Sequence, residues 1–218
     1  MPEHARSAPA HQFETVIQQK VAASLGMWTF LATEILIFGG LFTAYLVFRV
    51  AQPETFATMS RHMDLVMGTL NTGVLLTSSL TMALAVRAAH ASDRSRAAAA
   101  WLMVTAALGA GFLVIKGLEW HHEYGEHLVP LLGLDFDPHG APYGEAHLFM
   151  SLYFLMTGLH AIHLALGCLL VLGLALLRLR RSDRASATVV EMSGLYWHLV
   201  DIVWVFLFPL LYLVGTRS

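Results

Sequence analysis

Apolar residues gather along this chain into five long runs separated by polar breaks. The runs fall near 25–48, 65–88, 97–120, 147–177 and 190–214. At about 1.5 Å per helical residue, each is long enough to cross roughly 30 Å of hydrocarbon. Pro53 lies in the break after the first run, and Ser92-Asp93-Arg94-Ser95-Arg96 separates the second from the third. Arg178-Leu179-Arg180-Arg181-Ser182-Asp183-Arg184 closes the fourth. A longer connection, His121 to Glu145, carries Pro130, Pro138, Pro142 and several glycines. Ahead of the first run, Phe13, Val16, Ile17, Val21 and Leu25 recur at helical spacing. That spacing predicts an amphipathic lead-in on the membrane surface, with a plain solvated extension as the alternative. The pattern thus divides the chain into an N-terminal segment (1–24), a transmembrane domain (25–214) and a short tail (215–218). The predicted fold is all-α, an integral membrane protein built as a five-transmembrane-helix bundle. The fourth run, Leu148 to Leu177, exceeds one crossing and predicts strong tilt or projection beyond the bilayer.

Composition agrees with this pattern. The chain is 56% hydrophobic and 13% charged, with a mean hydropathy of +0.61, whereas soluble domains carry roughly 25% charged residues. Cys168 is the single cysteine and lies within an apolar run, which excludes a disulfide framework or a cysteine-rich metal site. A net charge of −2 offers no basic surface to nucleic acid. The first 24 residues lack the apolar core of a signal peptide, so the first span is expected to act as an uncleaved insertion signal. Nine of the thirteen lysines and arginines fall on one side: Arg6, Lys20, Arg87, Arg94, Arg96, Arg178, Arg180, Arg181 and Arg184. The other side holds Arg49, Arg61, Lys116 and Arg217. Positive residues favour the cytoplasmic side, so a cytoplasmic N-terminus and a periplasmic C-terminus are expected.

Candidate chemistry lies in the polar residues within these spans. Glu34 sits about nine residues into the first, roughly 13 Å along a helix and too deep to snorkel. Its neighbours Phe30, Leu31, Ile35, Ile37 and Phe38 are apolar, so a neutral carboxyl bonded to another helix or a lipid is expected. Proton transfer and plain packing are both open to it. Asn71 and Ser78 share a face of the second span, where small and hydroxyl residues permit close helix approach. The third ends K-G-L-E-W-H-H-E-Y. Lys116 and Glu119 are spaced to pair along the helix, while His121, His122 and Glu123 form an outer-interface cluster with Trp120 and Tyr124 as aromatic anchors. Adjacent histidines diverge by about 100° on a helix, a poor chelate, and no metal site is expected. His160 and His163 in the fourth span are one turn apart and suit interhelical hydrogen bonds or a metal. Glu191, His198 and Asp201 share one face of the fifth, and His198 is expected to meet the first or fourth span.

Several of these stretches resemble subunit III of the haem–copper oxidases. The likeness is carried by Y-W-H-L-V-D-I-V-W-V-F-L-F with its glutamate seven residues before the histidine, by T-G-L-H-A-I-H, by T-E-I-L-I-F-G-G-L-F, and by L-N-T with the following serine pair. The resemblance covers roughly 25–214. It implies the five-helix form of a family whose longer members have seven helices, the first two being absent here. It further implies a non-catalytic subunit packed on the catalytic subunit I, with subunit II and small membrane subunits nearby. Haem and copper are then expected in the partner subunits and no cofactor in this chain. Glu34, His160, His163, Glu191, His198 and Asp201 become proton- or lipid-associated polar groups, and none is expected to be catalytic. Bound phospholipid is an option, although the missing helices help form the family's lipid-holding cleft. The expected setting is a bacterial inner membrane and aerobic electron transport.

The alternatives are a quinol oxidase or nitric oxide reductase partner, a membrane metalloenzyme, or a cytochrome b using His160 or His163 with His198. A proton-coupled transporter would need an internal repeat or broken helices, and the sequence offers neither.

Overall fold

The computed structural model describes residues 14–91, 96–130, 135–138, 140–180 and 186–217. Arg6, Phe13, Ser92, Asp93, Arg94, Ser95, His139 and the run from Arg181 to Arg184 lie outside the described residues. Six helices follow in order: α1 (Val16–Ala51), α2 (Pro53–Ser60), α3 (Leu65–Ala91), α4 (Arg96–Gly125), α5 (Tyr143–Leu179) and α6 (Ala187–Tyr212). A 3₁₀ turn, Val214–Arg217, closes the chain. All but α2 are long and apolar enough to span a membrane.

Local chemistry explains where several helices begin. Thr15 caps α1 by accepting from the Gln18 amide at 3.1 Å, and Asp64 caps α3 by accepting from Val66 and Met67 at 2.9 and 3.0 Å, each satisfying amides that no helical carbonyl reaches. Pro53 opens α2, the position where a missing N–H costs nothing.

Two sequence expectations change here. The lead-in is continuous with the first span, because nothing in V-I-Q-Q-K-V-A-A-S-L-G-M-W breaks a helix. The resulting α1 has 36 residues, about 54 Å at helical rise. Its first turns therefore continue the first span as one helix. The break at Pro53 is itself a helix, the short α2, laid against α5 and the C-terminal turn. The fourth span is the expected over-long helix, with 37 residues in α5.

Helices α3, α4, α5 and α6 form a closed ring, each packed on its neighbours in the order α3–α4–α5–α6–α3, while α1 rests outside against α5 and α6. Small residues set the close approaches, as expected where lipid removes the hydrophobic drive between helices. Ala85, Ala89, Ala98 and Ala99 are fully buried, and Thr81 and Thr105 bond between α3 and α4 at 2.8 Å. Trp197 and Trp204 of α6 fill the centre, their indole N–H groups donating to Ser78 and Thr72 of α3 at 3.1 and 3.0 Å. Near its end α6 carries Pro209. Carbonyls of that last turn accept from elsewhere: Leu210 from Tyr45 of α1 at 2.5 Å and Leu211 from Ser60 of α2 at 2.7 Å.

Gly109 is the tightest of these approaches in the ring. A methyl group there would lie 2.6 Å from the Cys168 sulfur and 2.7 Å from the Trp197 ring. Gly109→Ala should therefore lower thermal stability by about 1–3 kcal/mol, the usual cost of overpacking. Gly111→Ala, which meets nothing within 4 Å, should be near neutral. Thermal unfolding of the purified variants, compared with wild type, checks both.

Candidate functional site

The buried polar residues collect in three places. The densest lies where α4 ends. Lys116 is 1% exposed and projects into the ring. Its ammonium donates to the hydroxyls of Tyr153 (α5) and Tyr212 (α6), both at 2.6 Å. Glu119 Oε2 lies 3.2 Å away as an ion contact, one turn along the same helix, the pairing that the sequence spacing allows. Tyr212 donates to Glu119 Oε1 at 2.5 Å, and Tyr153 meets both Glu119 Oε1, at 3.0 Å, and Glu123. The ammonium also sits over the Tyr153, Tyr212, Trp204 and Trp120 rings at 4.6, 5.4, 5.7 and 6.0 Å. Aromatic faces attract a cation most strongly where water is absent. The outer-interface cluster expected from sequence is therefore split. Lys116, Glu119 and Glu123 are sealed inside, while His121 and His122 face outward. The reason is the helical period, which sets 116, 119 and 123 on one face and 121 and 122 on the others.

The second group joins α1 to the ring. Glu34 Oε2 meets His163 Nε2 at 2.9 Å. His163 Nδ1 lies 2.8 Å from the Leu159 carbonyl, which only accepts, so Nδ1 carries a proton. One further proton lies in the Glu34–His163 contact, either on the carboxyl beside a neutral ring or on the ring beside a carboxylate. The pair has zero net charge in both cases. This revises the picture of a carboxyl among apolar neighbours only, since α5 supplies a basic partner that lies 129 positions away in the chain. Tyr196 of α6 donates to the His163 carbonyl at 2.8 Å. A cavity of about 10 Å³ lies between Glu34, His163, His160 and Tyr196, about what a single water needs. Across it, His160 is buried with neither ring nitrogen bonded, edged by Phe112 and leaning on Trp204 with ring centres 5.5 and 5.2 Å away.

The third group is the polar face of α6, and here the expected common environment breaks up. The Glu191 side chain is 46% exposed and meets His90 of α3 at 3.1 Å. His198 Nδ1 bonds to Ser79 of α3 at 2.8 Å, so it faces the second span rather than the first or fourth. Asp201 is buried beside Ser79, yet no aligned hydrogen bond reaches either carboxyl oxygen. The three residues share a face, as their spacing requires, but α6 runs along α3 from its surface end to the core. Burial therefore rises from Glu191 to Asp201.

Sequence reading overlooked Tyr153, Tyr196, Tyr212, Ser79 and His90. Each sits in a run that reads as apolar or as interface, and its role depends on a partner in another helix. Among the described residues, no three His, Cys, Asp or Glu side chains converge as a metal shell. Of the histidines weighed above as haem ligands in the cytochrome b alternative, His163 spends both ring nitrogens on Glu34 and Leu159 and His198 bonds Ser79 through Nδ1, while His160 has neither nitrogen bonded.

Comparison with known proteins bears on this arrangement. Residues 139–216, spanning α5 and α6, match the family described as cytochrome c oxidase subunit III. The cytochrome c oxidase subunit 3 of Thermostichus vulcanus is 35% identical over 193 residues, covering 87% of this chain and 86% of that protein. The chain belongs to the cytochrome c oxidase subunit III family. The quinol oxidase subunit 3 of Bacillus spizizenii is 32% identical, covering 88% of this chain and 86% of that one. The heme-copper oxidase subunit I+III of Aeropyrum pernix is 32% identical over 86% of this chain but 22% of its own length. In this family member His160, His163, Tyr153, Asp201 and Tyr212 fall in the stretch matched to the family, while Glu34, Lys116, Glu119 and Glu123 lie outside it.

The Glu34–His163 contact predicts a coupling. His163→Leu should strand Glu34 and cost about 1–3 kcal/mol. Glu34→Leu combined with His163→Leu should recover much of that loss, because no polar group is then left buried and alone. Thermal unfolding of the two single variants and the double variant measures it. Additive losses would show that the two residues act independently.

Proposed function

We propose that this chain is the non-catalytic third subunit of a bacterial haem–copper terminal oxidase, packed on the catalytic subunit I. The observation that carries the reading is the Aeropyrum pernix likeness. There a segment similar to 86% of this chain belongs to a single polypeptide named for subunits I and III together. Fusion of the two parts in one polypeptide supports placing them side by side. The exposed side of α1, with Leu36, Ile37, Val47 and Val50, is apolar enough for lipid or another membrane subunit.

In this reading the complex reduces oxygen and translocates protons, with haem and copper held by the partner subunits, and subunit II and smaller membrane subunits complete it. This chain stabilises the catalytic subunit and sustains proton delivery to it, and phospholipid binds against its outer helices. It lies in the inner membrane, N-terminus cytoplasmic and C-terminus periplasmic. Support for the orientation comes from the charge asymmetry and from the gathering of Lys20, His90 and Ser186 at one end of the bundle. The relatives include both cytochrome c and quinol oxidases, and the proposal covers either electron donor.

Affinity purification of the tagged chain from its native membrane tests the assignment. A large polytopic subunit with haem absorption should co-elute, and the haem bands should stay with that subunit once the chain is dissociated. Purification of the chain alone, without oxidase spectra, would overturn it. Cysteines placed at Gly140 and Ser92 test the orientation, since an impermeant thiol reagent should reach Gly140→Cys only from outside and Ser92→Cys only from the cytoplasm.

Glu34→Gln keeps the shape and bonds to His163 but cannot exchange a proton. If Glu34 serves proton delivery, this variant should assemble at wild-type levels and lose activity during prolonged turnover, while its initial rate is preserved. Unaltered activity over prolonged turnover would leave Glu34 with a packing role only.

A further inference from the structure

The cluster at the end of α4 has more acceptors than its protons satisfy. Lys116 directs ammonium protons to the hydroxyls of Tyr153 and Tyr212, both at 2.6 Å, and Glu119 Oε2 lies 3.2 Å away as an ion contact with no aligned hydrogen bond. The one Tyr212 hydroxyl proton goes to Glu119 Oε1 at 2.5 Å. That leaves the single proton of Tyr153 facing two carboxyl oxygens, Glu119 Oε1 at 3.0 Å and Glu123 Oε1. A phenol donates once. When Tyr153 serves Glu119, the Glu123 contact is a hydrogen bond only if Glu123 brings its own proton.

Charge leads to the same place. One ammonium faces two carboxyls, and both carboxyls are buried. The charged groups acting on Lys116 are Glu119 and Glu123, and those acting on Glu123 are Lys116 and Glu119. The elements packed around them add Tyr153 and His160 from α5 and Tyr212 from α6. None of these is an anion at neutral pH, and none balances a second carboxylate. With both carboxyls ionised, the cluster would hold an uncompensated negative charge away from water, the arrangement a low-dielectric interior most opposes. One added proton makes it neutral.

We propose that Lys116, Glu119, Glu123, Tyr153 and Tyr212 form a proton-holding site, which keeps one exchangeable proton on Glu119 or Glu123 and passes it between them through the Tyr153 hydroxyl. The step balances. Glu123 gives its proton to the Tyr153 oxygen as Tyr153 gives its own to Glu119 Oε1, so the phenol is unchanged and the carboxylate moves from Glu119 to Glu123. Lys116 stays an ammonium and sets the number of protons at one. Glu123 is the outward member, two residues before α4 ends at Gly125 and beside the exposed His122 and Tyr124, so exchange with water runs through it. Glu123 Oε2 is buried and has no hydrogen-bond partner within the bundle, which leaves a lone pair that can hold the proton.

Infrared difference spectra of the protonated-carboxyl C=O stretch test the site, taken on the chain together with whatever subunits co-purify with it. Glu119→Gln and Glu123→Gln should each lose one protonated-carboxyl equivalent per chain relative to wild type, because a single remaining carboxyl pairs with Lys116. Lys116→Met should gain one equivalent, since both carboxyls then need protons. In D₂O the wild-type band should shift, and Tyr153→Phe should slow that shift while keeping the band. Unchanged band intensity in both glutamine variants overturns the proposal, as does a wild-type band that never shifts in D₂O. Should Lys116→Met fail to accumulate, the two glutamine variants decide by themselves.

Discussion

Lys116 places a charge where neither water nor lipid can solvate it, and much of the bundle's interior is arranged to answer that charge. Three helices contribute: α4 brings the lysine and both glutamates, α5 the first tyrosine and α6 the second. A polar group in hydrocarbon costs several kcal/mol unless the protein itself bonds it. Helices whose apolar faces would pack equally well in several rotations therefore have one rotation in which the ammonium is satisfied. Trp197 and Trp204 act in the same way on the other side of the ring, since each indole N–H finds its acceptor on α3 in this register. Small residues let the helices come close, and the hydrogen bonds fix which surfaces meet.

The attachment of α1 is of a different kind. It lies outside the ring, with most of its length exposed, and its polar ties to the ring include the Glu34–His163 pair at mid-helix and Tyr45 near the end of α6. A helix resting outside the ring is easier to displace than one woven into it. The contrast also separates two sorts of buried proton. The one between Glu34 and His163 sits at the seam between α1 and the ring. The one assigned to the α4 cluster lies inside the ring, beside the aromatic side chains that surround Lys116.

His160 and Asp201 stay without full hydrogen bonding although both are buried. Both lie in α5 and α6, next to clusters that are themselves well bonded, and the narrow cavity beside His160 links it to Glu34 and His163. Polar side chains placed this way in a membrane bundle mark the regions where packing has yielded to chemistry.

The sequence by itself determined the number of candidate spans and the class of fold, because five apolar runs long enough to cross a bilayer stand between polar breaks. It also determined which residues share a helix face: Lys116 with Glu119 and Glu123, and Glu191 with His198 and Asp201. The family was legible in two α5 and α6 motifs whose spacing survives without any structure. Partners were not legible. Periodicity says which way a side chain points from its own helix but not which helix stands there, so His163 opposite Glu34 and Ser79 opposite His198 were beyond it. Nor could periodicity show that Glu191 would lie at the surface while Asp201, on the same stripe, is enclosed. The extra helix at Pro53 and the unbroken α1 were likewise decided by contacts and chain continuity rather than by hydropathy. The proton count of the α4 cluster is the clearest case. It needs Tyr153 and Tyr212, two residues that read as apolar in sequence and become hydrogen-bonding groups only when three helices bring their hydroxyls to one buried lysine.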